Sequence, residues 1–190
     1  MRTPIQKLAL LLVATLALGS EAAFAADPAA GFVVGLFAKA CIPNMGQPSK
    51  VEAWADNWHL HEITDPAPLR VFVGDGSEGK AWAVPAQYGS FALSIRGTTH
   101  ACAVWARAAA PDEVEADFKR IIEGSKRPGL NVTVIADRSS SSPAGRVHEL
   151  VYQLSAAGAP TGFLLTMVTA ERPGGAFQAS LQVAAAKLAQ

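Results

Sequence analysis

Two cysteines, four histidines and one glycine-rich stretch are where this sequence could do chemistry. Residues 74–81 read GDGSEGKA. Gly74, Gly76 and Gly79 fit G-x-G-x-x-G, and Gly74, Gly79 and Lys80 fit G-x-x-x-x-G-K, two loops that cradle phosphates. Such loops deliver the phosphate to a helix N-terminus, where backbone N–H groups point at it. Here Lys80 leads into the strand-like run 81–84 and then Pro85. Asp75 and Glu78 would repel an anion, and Ala81 replaces the hydroxyl that would hold magnesium. The stretch reads as a turn, and no nucleotide or other cofactor is expected.

His59-x-His61, with Glu62 and Asp65 nearby, is the one ligand-like cluster. On an extended backbone the two histidines share a face, but a structural zinc site needs four ligands in one place. His100 and His148 are distant, so the segment reads as polar surface flanked by tryptophan, and no metal is expected. His148 falls on the same strand face as Leu150, Tyr152 and Leu154. A catalytic histidine could sit there with a serine and an acid brought in by the fold. A satisfied core or edge histidine is the plainer reading, since no G-x-S-x-G elbow singles out a serine. His100, two residues before Cys102, could activate a thiol only if that cysteine were unpaired. No catalytic residue is assigned.

The elements that would position these groups follow from hydrophobic period. Asp27-Pro28 is a helix start, and Phe32, Val33, Leu36, Phe37, Ala40 and Cys41 then recur at helical spacing until Pro43 and Gly46. A second helix is expected over 48–57, with Val51, Trp54 and Trp58 on one face packing it onto a sheet. An exposed tryptophan rim would instead mark a partner surface. Residues 59–68 read as a loop with two prolines, and 69–73 as a strand or one helical turn. In 81–107, Trp82 and Val84, then Phe91, Leu93 and Ile95, then Cys102 and Val104 alternate with a period of two, a three-stranded antiparallel meander. Val114, Phe118, Ile121 and Ile122 form the clearest helical stripe, opened by Pro111, with Glu115 and Lys119 spaced to pair. Strands are expected again near 130–134, 147–154, 161–169 and 177–185, with 139–143 a polar loop. The fold class is α+β, an antiparallel sheet of meander plus C-terminal strands, covered on one face by helices.

Residues 1–25 read as a signal peptide. Arg2 and Lys7 precede an apolar run of twelve residues, 8–19, and Ala23-Phe24-Ala25 places cleavage after Ala25. The run is too short to span a bilayer, which needs about 20 residues. Export to a bacterial periplasm is therefore expected, with 26–190 forming a single domain. Without Arg2, Lys7 and Glu21, the 16 basic and 16 acidic residues become 14 and 15. So neutral a domain argues against nucleic acid or an anionic membrane as partner.

Two cysteines in an exported chain most simply form one disulfide, Cys41–Cys102; two free thiols are the alternative. The disulfide would close a loop of about 60 residues, worth roughly 4 kcal/mol in the chain-entropy model. The leader, the helix ending in Phe37-x-x-x-Cys41, the Trp82 strand, Phe91-x-Leu93 and Cys102-x-Val104 before the Pro111 helix resemble a family of small exported proteobacterial envelope proteins and lipoproteins. The resemblance spans nearly the whole mature chain, although no cysteine ends the leader as a lipobox would. It implies a paired Cys41–Cys102 and a non-enzyme. The expected function is protein binding in the periplasm, as an inhibitor, an immunity-type protein or an envelope accessory factor, with another envelope protein as partner. The alternatives are a hydrolase using dispersed residues such as His148, His100 and a serine, or a carrier of a small ligand or metal.

Overall fold

The computed structural model describes residues 26–74, 78–97 and 99–188. The expected leader and residues 75–77 of the glycine-rich turn lie outside the described residues. Helix α1, Pro28–Leu36, continues through one wide turn, Phe37–Cys41, and a tight one, Ile42–Asn44. Then follow α2, Pro48–Asn57; a two-residue strand β1, His61–Glu62; and α3, Pro66–Val73. The meander is β2, Gly79–Ala86, β3, Gly89–Arg96, and β4, Ala101–Ala106. Helix α4, Pro111–Ser125, leads to β5, Leu130–Ser142, β6, Gly145–Ala156, β7, Thr161–Ala170, and β8, Ala179–Lys187.

All strands join one antiparallel sheet in the order β1-β2-β3-β4-β8-β7-β6-β5. The chain lays down one meander, crosses over with α4 to the far edge, and returns strand by strand until β8 closes against β4. Opposed residues in such ladders point to the same face. Trp82, Leu93, Val104, Leu181, Met167 and Leu150 therefore form one apolar row across six strands. All are buried, and against them pack Val33 and Phe37 of the first helix and Val114, Phe118 and Ile122 of α4.

The helix starts lock each other. Asp27 caps α1 by accepting the Ala29 N–H at 3.0 Å, and its second oxygen accepts the Ala110 N–H at the start of α4 at 2.6 Å. Glu113, in the first turn of α4, accepts the Asp27 N–H at 2.7 Å. At the other end of α1, Cys41 and Cys102 are joined, with Cα atoms 5.5 Å apart. The expected staple between first helix and third meander strand is present.

Two segments differ from the sequence reading. The proline-containing loop holds helix α3, because Asp65 caps it through the Ala67 N–H and Pro66 takes the first position, the same signal as Asp27-Pro28. It packs Phe72 and Val73 on the opposite face of the sheet, over Ala81 and Ala92, where Phe72, Trp105 and Phe177 cluster. The serines 139–142 are not a loop but the end of β5, since Ser142 pairs with Gly145 and the turn shrinks to Pro143-Ala144. Among the described residues no helix is long and apolar enough to cross a membrane.

Replacing Cys102 with Ser lowers stability by about 4 kcal/mol in urea titrations. Cys41→Ser costs the same and the double variant no more, because one cross-link is lost in each case; additive losses would contradict a staple.

Candidate functional site

The register that builds the core also builds a polar pocket. One row along from the apolar one, Val84, Phe91, Ala106 and Ala179 give way to Thr169, His148 and Ser139 at the β5 edge. Above this end lies the first turn of α4. Between them is a cleft of about 230 Å³ lined by Glu115, Ser139, Arg146, His148, Thr169 and Glu171.

His148 is held on both sides. Its Nδ1 lies 2.9 Å from Glu115 Oε2 on α4, and its Nε2 lies 2.9 Å from Asp137 Oδ1 on β5. With both ring nitrogens facing carboxylates, the imidazolium satisfies both by donating twice. The hydrogen bond to Asp137 raises the pKa of His148 above its ordinary 6.5; burial opposes this, and Glu115 adds to the rise. Burial disfavours the charged form of Glu115, but hydrogen bonds from Lys119, at 2.6 Å, and from His148 prevail and hold its carboxyl below the usual value. A general base needs a free ring nitrogen within reach of the proton it takes. Ser139 sits directly across from His148 in the ladder, yet the ring is committed to the two acids. The arrangement works as an ionic clamp between α4 and the β5–β6 hairpin.

The other histidines do not converge on it. His59 follows α2 with φ 50°, in the left-handed region, so it and His61 do not share one extended face as expected. Both are exposed, and so is His100, in the β3–β4 turn with φ 48°. Cys102 is in its disulfide and offers no thiol for His100 to activate. Gly79 and Lys80 begin β2, and Lys80 donates to Glu52 on α2 at 2.6 Å, which removes the phosphate-loop reading. Among the described residues, no group of three or more His, Cys, Asp or Glu side chains is set to hold a metal ion.

A second feature lies on the same face, near the other edge of the sheet at β2. Trp54 and Trp58 stack with ring centroids 5.4 Å apart, Trp54 against the core and Trp58 62% exposed. They wall an apolar groove of about 390 Å³ whose other side is Phe32, Val84 and Pro85. Gly31 and Gly35 line the α1 side, and a side chain added to either would meet nothing within 4 Å. Tyr88, 45% exposed, neighbours the lining, its ring centroid 6.2 Å from that of Phe32. Lys39 also lines the groove and makes no ion pair among the described residues. Helical spacing puts both tryptophans on one face but does not say that the second overshoots the sheet.

Compared with known proteins, the chain matches no family model and no curated protein.

The clamp makes stability depend on pH with a definite sign. A folded pKa above the unfolded one adds stability in full below about pH 6.5, and that stability is lost as the pH rises through the folded value. The stability gap between wild type and His148→Gln is therefore widest below about pH 6.5 and narrows as the pH rises from there through the folded value; a constant gap would mean the ring is not charged. Separately, His59→Gly relieves a left-handed side chain at the end of α2 and raises stability by about 1 kcal/mol in thermal unfolding.

Proposed function

We propose that this protein acts in the periplasm by binding another envelope protein through the α1–α2 groove. The observation that carries this is Trp58, mostly exposed yet stacked on Trp54 beside an apolar groove with Tyr88 next to its lining. Exposed tryptophan costs solvation and gains a large contact area with little loss of side-chain freedom, so such residues dominate binding energy where they meet a partner. The occupant is an extended apolar segment of the partner, carrying a carboxylate to meet Lys39. The reading of residues 1–25 as a signal peptide and a disulfide that suits an oxidising compartment support the location. The role fits an inhibitor, an immunity-type protein or an envelope accessory factor. Both nitrogens of His148 are taken up by Glu115 and Asp137, which favours binding over a hydrolase.

A photo-cross-linking residue at position 88 should trap one partner in intact cells. Trp58→Ala should reduce that adduct at least tenfold while melting within about 1 kcal/mol of wild type, since it loses only an exposed stack. His148→Gln, near the other edge of the sheet, should leave it unchanged. An adduct indifferent to Trp58→Ala, or none at all, would refute the groove as the interface.

A further inference from the structure

A different opening separates the two layers at the β5–β7 end of the sheet, away from the tryptophans. The tight turn after α1, the last turns of α4 and strands β5 to β7 line a cleft of about 400 Å³ there. Ile42, Met45, Ile121, Leu130 and Phe163 line it, all partly buried against the core. This volume lies in the range of small-molecule sites, and such a lining of apolar side chains with few polar groups is typical of them. Beside the cleft, Gly46 has φ 71°, and a Cβ there would stand 3.3 Å from the Phe163 ring. Arg127, just past the end of α4, also lines the cleft; it makes no ion pair among the described residues, and no acidic side chain lines the cleft with it.

We infer that this cleft binds a small amphiphile, its apolar chain between the helices and the sheet and its anionic head on Arg127. The apolar interior excludes a polar ligand, since burying unpaired polar groups is unfavourable. The unpaired guanidinium selects a carboxylate, phosphate or sulfate head over a neutral or cationic one, because its planar fork donates to two oxygens at once. The site is distinct from the tryptophan groove, and its binding stands or falls independently of any protein partner.

Titration of the mature protein with dodecanoate, followed by calorimetry, tests this against dodecanol as the uncharged probe. Dodecanoate should bind and dodecanol should bind at least tenfold more weakly. Arg127→Gln should weaken dodecanoate roughly tenfold, the loss of one charge-assisted contact. Ala159→Trp, which fills the cleft from its half-buried rim, should abolish binding while thermal unfolding shows the variant folded. Dodecyl phosphate and dodecanoate, compared at equal chain length, separate a phosphate-type head from a carboxylate; either one binding through Arg127 supports the site. Binding that survives both substitutions, or is lost on Trp58→Ala instead, overturns it, as does no binding of either anion.

Discussion

The structure depends on one requirement, that the apolar face of an eight-stranded sheet be covered. The row from Trp82 to Leu150 runs across six strands, and no strand can bury its own share of it. Helices α1, α2 and α4 supply the cover, and the mutual capping of α1 and α4 through Asp27 and Glu113 sets where those two start. The disulfide then ties the end of the first helix to the row containing Ile95, Cys102 and Val183. Cap and cross-link act at opposite ends of α1, so its position over the sheet is determined twice.

That cover has limits, and they locate the sites. Three helices of these lengths leave the edges of eight strands unroofed. At the β5–β6 edge the core rows run out into Thr169, His148 and Ser139, and charge takes over from packing. A histidine between two carboxylates is a reasonable way to hold a helix start against a strand edge, since the partners come from α4 and β5 and neither can leave without exposing the other. At the two flanks of the helix layer, openings remain lined by apolar side chains that have left water only in part. One carries Trp58 and Lys39, the other Arg127. Each thus pairs an apolar wall with a single cation, a combination that an extended protein segment or an anionic amphiphile can meet.

The opposite face of the sheet solves a smaller version of the same problem. Ala81 and Ala92 leave room for Phe72 to approach the backbone, and Trp105 turns its ring toward Phe72 and Phe177 while its indole N–H donates to Ser94 at 2.9 Å. A buried polar side chain is thereby satisfied within the sheet. Gln178 does the same at the start of β8, accepting from Ala109 and donating to Ala170.

Local patterns in the chain determined a good deal. Period-two alternation placed the meander and the C-terminal strands, the stripe of Val114, Phe118 and Ile122 placed α4, and two cysteines set the cross-link. These are readable because each depends on residues close in sequence or on there being one possible pair. Helix α3 was missed although Asp65-Pro66 repeats the Asp27-Pro28 start, because the second proline, Pro68, reads as a loop signal; a first helical turn tolerates proline. The extension of β5 through four serines was not legible, because a polar edge strand and a polar loop have the same composition. Nor was the pairing of His148 with Glu115 and Asp137, which lie 33 and 11 residues away. The exposure of Trp58 was equally out of reach. Which partner a side chain meets, and whether a helix face overshoots its sheet, depend on register and layer position, and only the tertiary structure decides these.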